Sequence, residues 1–274
     1  MQSNKILDDT MYSKEQITQI LFLDIETARN TKTYHELSEG MKKMWELKSQ
    51  TLEPKDGSMS PEEKYYDKAA IYAEFGRVIC ISCGFIYEKD GEMHFKAKSF
   101  YGSDEKKVLE DFKLFLDSYT ELLGKSGFYD KRTDQAKKKF HYLAAHNGKE
   151  FDIPYMGRRY LVNQLVLPQM IEVRGKKPWE MPHIVDTMEL WKFGDGKNFT
   201  KLELLCNLFG IPTPKDDIDG SQVGEVFWEE QNYERIAIYC EKDVLATAQL
   251  MLKYNLFPLI EEDKIHFAEK TANV

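Results

Sequence analysis

No part of this sequence stays apolar for long. Runs such as residues 79–81 and 165–167 are far too short to cross a bilayer, so no membrane span is expected. The first residues, Met-Gln-Ser-Asn-Lys, meet Asp8 and Asp9 before any apolar stretch. They form no secretory h-region, and a cytoplasmic protein is the expectation. Positive charge is also in deficit. Lys and Arg number 38 against 46 Asp and Glu, a net charge of −8, which argues against a generic polyanion binder. Any contact with nucleic acid must then be made through a local patch.

Cysteine is scarce, with Cys80, Cys83, Cys206 and Cys240 alone. Cys80 and Cys83 form a CxxC, a spacing used for zinc or redox work. They lie within Arg77-Val-Ile-Cys-Ile-Ser-Cys-Gly-Phe-Ile86, which reads as a strand. Residues three apart on a strand point to opposite faces, so this pair reads as packing thiols in a reducing compartment. A phosphatase built on histidine ligands would want more than these six histidines provide in motif positions. Repeats, low-complexity tracts and long Pro/Gly/Ser linkers are absent too, and residues 1–274 read as a single domain.

What is present alternates strands with helices. A short apolar run over residues 17–23 ends in acids. Residues 78–87 and 94–100 flank Lys89-Asp90-Gly91, a hairpin signal. Helical spacing follows through Leu109, Phe112, Phe115, Leu116 and Tyr119. Brief strands are expected at residues 142–145 and 183–185, and a long helix from about Tyr233 to Tyr254. Thr200-Lys-Leu-Glu203 has the form of a capping box, opening a helix that stops at Gly210. Residues 34–72 differ in character, with helical spacing in Leu37, Met41, Met44, Trp45 and Lys48, broken by Glu53-Pro54-Lys55-Asp56-Gly57-Ser58. They read as two helices inserted between the first two strands. The fold class is α/β, a mixed sheet flanked by helices.

Three acidic motifs carry the chemistry. In Leu21-Phe-Leu-Asp24-Ile-Glu26-Thr27, carboxylates at i and i+2 of a strand share one face. They repel unless a cation sits between them, and an oxygen-rich site suits Mg²⁺ or Mn²⁺. In His146-Asn-Gly-Lys-Glu-Phe151-Asp152 a strand gives way to a helix, with Pro154 tolerated in the first turn. In Tyr239-Cys-Glu-Lys-Asp243 the first and last residues share a helix face. Asp243 also falls within the apolar stripe of Ile236, Cys240, Thr247 and Met251, where an unpaired carboxylate is costly.

In this order and context, the motifs resemble the DEDD superfamily of 3′→5′ exonucleases, tyrosine branch, built on the ribonuclease H-like fold. Ala145-His-Asn-Gly-x-x-Phe-Asp152 and Asp219-Gly-Ser-Gln-Val223 are similar to stand-alone bacterial proteins related to the exonuclease domain of family B DNA polymerases. The resemblance spans about residues 21–252. It implies hydrolysis at the 3′ end of single-stranded DNA, or of RNA, with two divalent cations held by Asp24, Glu26, Asp152 and Asp243. Asp24 would bridge the ions, Glu26 and Asp243 complete the site of the attacking water, Asp152 support the second ion, and Tyr239 orient the water. A nucleic-acid-binding module without catalysis is the alternative from another class.

For substrate contacts, Thr27 follows the first motif. Asn147 is read either as a contact to the terminal nucleotide or as a helix cap, and Phe151 as a base stacker or a core aromatic. Asp186 reads as a helix cap in preference to a metal ligand, and the loop at Gly220-Ser-Gln-Val223 as a turn or a contact to the 3′ end. Lys137-Lys138-Lys139, Arg158-Arg159 and the loop from Arg174 to Lys177 are basic clusters, each a solvated face or a grip on phosphates. Arg158 and Arg159, with that loop, are the expected grip because they follow the second motif.

Overall fold

The computed structural model describes residues 12–125, 128–130, 135–137, 142–196, 199–212 and 217–270. The strands in chain order are β1 (Ile20–Arg29), β2 (Gly76–Lys89), β3 (Glu92–Tyr101), β4 (Phe128–Asp130), β5 (Gln135–Lys137), β6 (Tyr142–Ala145), β7 (Ile184–Asp186) and β8 (Ile265–Phe267). Strands β4 and β5 pair only with each other, and the remaining six form one sheet in the order β7-β6-β1-β2-β3-β8. Strand β1 runs antiparallel to β2 and parallel to β6. The sheet is therefore mixed, as expected for a ribonuclease H-like fold. The helices are α1 (Lys14–Ile17), α2 (Glu39–Ser49), α3 (Pro61–Lys68), α4 (Glu105–Lys125), α5 (Asp152–Val162), α6 (Thr187–Lys192), α7 (Leu202–Phe209), α8 (Val223–Glu225) and α9 (Tyr233–Tyr254). Among the described residues, no helix is long and apolar enough to cross a membrane.

Strand β1 is apolar on both sides because both faces of the sheet are covered there. Its odd positions Leu21, Leu23 and Ile25 pack with Val108, Leu109, Phe112 and Leu116 of α4 and Ile153 and Met156 of α5. Its even positions Ile20 and Phe22 pack with Val244, Ala248 and Met251 of α9. The period of two then carries Asp24 and Glu26 onto the α9 side. The strand does not end at the acids, as the apolar run suggested, but stays paired with β2 as far as Arg29. Glu26 faces Cys80 and Thr27 faces Val78, so Ile79 is an extra residue and β2 bulges beside the acids.

The hairpin turns at Asp90 (φ 54°) and Gly91 (φ 82°), both left-handed as a two-residue turn requires. Cys80 and Cys83 lie in different core clusters on opposite faces, so the CxxC gathers no metal. Thr200 and Glu203 do not form a capping box. Helix α7 starts one residue later, at Leu202 with Lys201 in the cap position, and the Thr200 carbonyl accepts from His146 Nε2 at 2.8 Å. Gly210 (φ 65°) does end that helix.

The insertion over residues 34–72 forms two helices, α2 and α3, as its spacing predicts. Its own small core places Trp45 edge-on to Tyr65 (5.4 Å) and Phe75 (4.9 Å). Met44 faces solvent instead of joining that core. Lys64 is buried, and its ammonium is satisfied by the carbonyls of Ser49, Leu52 and Pro54 at 3.0, 3.0 and 2.7 Å. Ser49 is the last residue of α2, and Leu52 and Pro54 belong to the loop that leads on to α3.

Arg159 requires a correction. It is 5% exposed, and its guanidinium is spent on Glu105, with Nε to Oε1 at 2.8 Å and Nη2 to Oε2 at 2.6 Å, while Nη1 donates to the Ala73 carbonyl. Arg159 lies seven residues beyond Asp152, about two turns of α5, and so returns to the face that carries Asp152, whereas Arg158 falls on the exposed side. Arg159 is thus a buried tie between α5 and α4 and offers nothing to a substrate. Lys138 and Lys139 lie outside the described residues. Removing one partner of a buried, hydrogen-bonded pair costs about 3–5 kcal/mol. Glu105→Ala and Arg159→Ala are therefore expected to lower unfolding free energy by that order in urea titrations, and Arg158→Ala by less than about 0.5 kcal/mol. Equal midpoints for Arg158→Ala and Arg159→Ala would refute the assignment.

Candidate active site

The site forms where β1 outruns its neighbour. Strand β6 pairs with β1 only from Ile20 to Phe22, and stops at Ala145. Beyond that point the Ile25 N–H has no strand beside it. Asp152, the first residue of α5, fills the gap: its Oδ1 accepts from Ile25 N at 3.2 Å. One carboxylate thus closes an open sheet position and faces the acids of β1.

The turn that delivers Asp152 is tight. Asn147 adopts a left-handed conformation (φ 66°), and its carbonyl accepts from Glu150 N and Phe151 N. A Cβ at Gly148 would lie 2.4 Å from the Ala145 Cβ, so only glycine lets the turn fold back on the end of β6. Asp186, at the end of β7, accepts from Met188 N and Glu189 N as the cap of α6, and also from Asn147 N and Lys149 N. It is a cap, as expected, and it clamps the turn as well. His146 is held at both ring nitrogens. Nε2 must donate to the Thr200 carbonyl, which leaves Nδ1 to accept from the Thr187 hydroxyl at 2.9 Å. Burial lowers its pKa, which agrees with a neutral ring.

Helix α9 supplies the other wall. Tyr239 and Cys240 pack with Ala28 and Cys80 on the face shared by Asp24 and Glu26. The Cys240 thiol lies 3.4 Å from both the Asp24 carbonyl and its Oδ2, a contact that holds the carboxylate. Tyr239 hydrogen-bonds Asp243 one turn on. The donor atoms of Asp24, Glu26 and Cys240 all lie within 4.8 Å of one another. The structure thus brings Asp24, Glu26, Asp152, Tyr239 and Asp243 together.

The electrostatics of this group are adverse. Burial pushes Asp24 and Glu26 well above the ordinary carboxylate range, and neighbouring acids push them further: Asp152 and Asp243 for Asp24, Asp24 and Asp243 for Glu26. Asp152 is pushed up to about 7, chiefly by burial and against the hydrogen bond from Ile25. Burial and the surrounding carboxylates raise Tyr239 too, so its hydroxyl stays protonated at neutral pH. The leading charged influences on all three carboxyls are acids or cysteines, with no basic side chain among them. Converging carboxyl oxygens whose strongest charged neighbours are other acids are a donor set suited to a hard divalent cation.

The remaining candidates are dispersed. Thr27 reaches the Tyr155 hydroxyl on the α5 side. Phe151 is half-buried against the core, with its ring 5.3 Å from Tyr155. The Asn147 side chain caps nothing, since α5 starts without a side-chain cap, and Asn147 Oδ1 is buried with no hydrogen-bond partner. Residues 219–222 form a turn, as expected, with Ser221 N and Oγ donating to Asp219. A Cβ on Gly220 would nonetheless lie only 4.0 Å from the Tyr239 hydroxyl. In the loop after β6 and α5, Arg174 is engaged by Glu172. Sequence reading missed the contact of Cys240 because it touches Asp24, 216 residues away, and missed Gly148 because the close approach to Ala145 depends on how tightly the turn folds back.

Residues 71–272 match a family described as a predicted 3′-5′ exonuclease related to the exonuclease domain of PolB. The chain belongs to this family. The matched span includes Asp152, Tyr239 and Asp243 but begins after β1, so Asp24 and Glu26 join the site through the tertiary structure. A search of curated proteins gave no match. Among solved structures, the chain is similar to the family B DNA polymerase of the hyperthermophilic archaeon Pyrobaculum calidifontis, at 14% identity and a TM-score of 0.43. That alignment covers 86% of this chain and 24% of the polymerase, so the chain spans about a quarter of its length.

The carboxyl cluster predicts an unusual pH dependence for this exonuclease-family protein. Asp152 has a folded pKa of about 7 against an ordinary 3.8, so the folded state binds more protons between those values. Its contribution to stability is complete below about pH 4 and is lost as pH rises through 7. Metal-free protein should therefore melt at progressively lower temperature from pH 5 to 8, and Asp152→Asn should flatten that slope. Thermal denaturation in chelator across this range checks it, and a parent protein that grows more stable toward pH 8 would contradict the electrostatic reading.

Proposed function

We propose that the protein removes nucleotides one at a time from the 3′ end of single-stranded DNA, using two divalent cations, Mg²⁺ or Mn²⁺. The observation that carries this reading is the convergence of Asp24, Glu26 and Asp152, with the charge of Asp243 reaching all three and no basic side chain among the leading influences on them. Membership of a family of predicted 3′-5′ exonucleases supports the polarity and the class of bond.

The four carboxylates would hold the cations. When bound, such ions lower the pKa of water to give a nucleophile at neutral pH and stabilise the leaving oxygen. The chain's own groups fix the geometry. Ile25 N–H holds Asp152 from the backbone of β1. Cys240 holds Asp24 from α9. Tyr239 keeps its proton, so it serves as a hydrogen-bonding group that orients the attacking water and not as the base. The α9 helix carries both Tyr239 and Asp243, so one rigid element sets the angle of attack against the pair on β1.

Digestion of 5′-labelled single-stranded DNA, beside a matched RNA, tests the reading. The expected product is a ladder shortening by single nucleotides from the 3′ end, abolished by Asp24→Asn and Asp243→Asn. Tyr239→Phe keeps the ring and loses the hydroxyl, and should slow turnover on the order of 10². Preferential RNA cleavage would move the substrate class. Degradation that survives Asp24→Asn would sink the proposed mechanism.

A further inference from the structure

Several described arginines are already committed. Arg159 is spent on Glu105, Arg174 on Glu172, and Arg235 on Asp217 and Glu230. Arg77 donates to the Ser103 carbonyl, and Arg158 is on the outer face of α5. Arg29 differs from all of these. It ends β1, three residues beyond Glu26, or about 10 Å along the strand. Its Nε donates to the Lys32 carbonyl at 2.8 Å, and its guanidinium stacks 4.9 Å over Tyr66 of the insertion. Among the described residues, no carboxylate forms an ion pair with it. The two acids whose charges reach it are engaged elsewhere, Glu229 with Lys32 Nζ at 2.8 Å and Glu36 with Thr33 N at 3.3 Å.

The placement of Arg29 links it to the carboxyl cluster. Its Nη1 lies 3.5 Å from where a Cβ at Gly224 would stand, while Gly220, four residues earlier, lies beside the Tyr239 hydroxyl. A single short segment therefore lines both. Tied at Nε and backed by an aromatic ring, the guanidinium is held with its two terminal nitrogens as a fixed fork, the geometry that matches a phosphate. It is half-buried, so an anion there is screened less than at a free surface. In a chain of net charge −8, a grip on a polyanion has to be local.

We infer that Arg29, positioned by Tyr66 and Lys32, contacts a backbone phosphate of the strand whose 3′ end lies among Asp24, Glu26, Asp152 and Asp243. This rests on the proposed nuclease function and adds to it a phosphate contact on the wall built by the insertion. The contact goes to the sugar–phosphate chain, so it positions the strand without reading bases. It replaces Arg159 in the role expected from the sequence.

The test measures binding of a fluorescent single-stranded oligonucleotide by anisotropy, in an Asp243→Asn background with Ca²⁺ so that the strand stays intact. Arg29→Gln should weaken binding about tenfold and reduce the slope of log affinity against log salt by about 0.7, the value for one phosphate contact on a single strand. Arg29→Lys should restore most of the slope and part of the affinity. A scan of single methylphosphonate linkages near the 3′ end should find one whose neutralisation weakens the Arg29 protein but not Arg29→Gln. That scan begins from the arginine-bearing protein, so it holds even if a variant folds poorly. An unchanged affinity and salt slope in folded Arg29→Gln, or no sensitive linkage, would overturn the contact while leaving the nuclease reading intact. If the protein of natural sequence neither binds nor cuts DNA or RNA, the nuclease reading fails and the contact falls with it.

Discussion

Four carboxylates drawn into one partly dry space are the constraint around which this molecule is arranged. Like charges that close raise one another's pKa and oppose folding, so the surrounding structure must hold them in place. It does so with hydrogen bonds from fixed groups. Asp152 accepts from the backbone of β1, and Asp24 is held by the Cys240 thiol. Each tie joins two elements far apart in sequence, and the acids sit at their junction. The acids remain mutually repelling even so, and a bound cation among them would relieve that repulsion.

The elements around the cluster are held by buried polar contacts as much as by apolar packing. Helix α5, which presents Asp152, is fixed through Arg159 to Glu105, through the Tyr155 hydroxyl to the Ala70 carbonyl, and through the Tyr160 hydroxyl to the Leu109 carbonyl. Glu105 also accepts from Val78 N, next to the bulge at Ile79 in β2. The chain beside β1's acids, the start of α4 and the middle of α5 are therefore braced together. Such bonds are directional, and they fix a position more closely than apolar contact does. On the other side, the insertion core around Trp45 and Tyr65 sets Tyr66 beneath Arg29, where it forms part of the wall.

Much of this was legible in the sequence, for local reasons. The two faces of β1 follow from a period of two, so Asp24 and Glu26 had to share a side. The spacing of α9 set Tyr239 and Asp243 on one face, and the hairpin turn was given away by Asp90-Gly91. The helices of the insertion were equally plain. Readings that depended on the exact start of a helix did less well. The capping box at Thr200 failed because the helix begins one residue later, with Lys201 in the cap position.

The kinds of residue present, their order and their local periodicity belong to the sequence alone. They specified a mixed sheet flanked by helices, three acidic motifs and the family of the site. Which polar side chain meets which partner was decided only by the tertiary structure. Arg158 and Arg159 are neighbours in sequence, but a 100° step around α5 sends one to solvent and buries the other on Glu105. Arg29 lies at the end of a strand and carries no local signal. It stands next to the cluster because the insertion and the segment from Gly220 to Gly224 fold against the end of β1. Desolvation and charge pairing depend on through-space distance, and in this chain the groups that set them come from separate segments, 54 residues apart for Arg159 and Glu105 and 216 for Asp24 and Cys240.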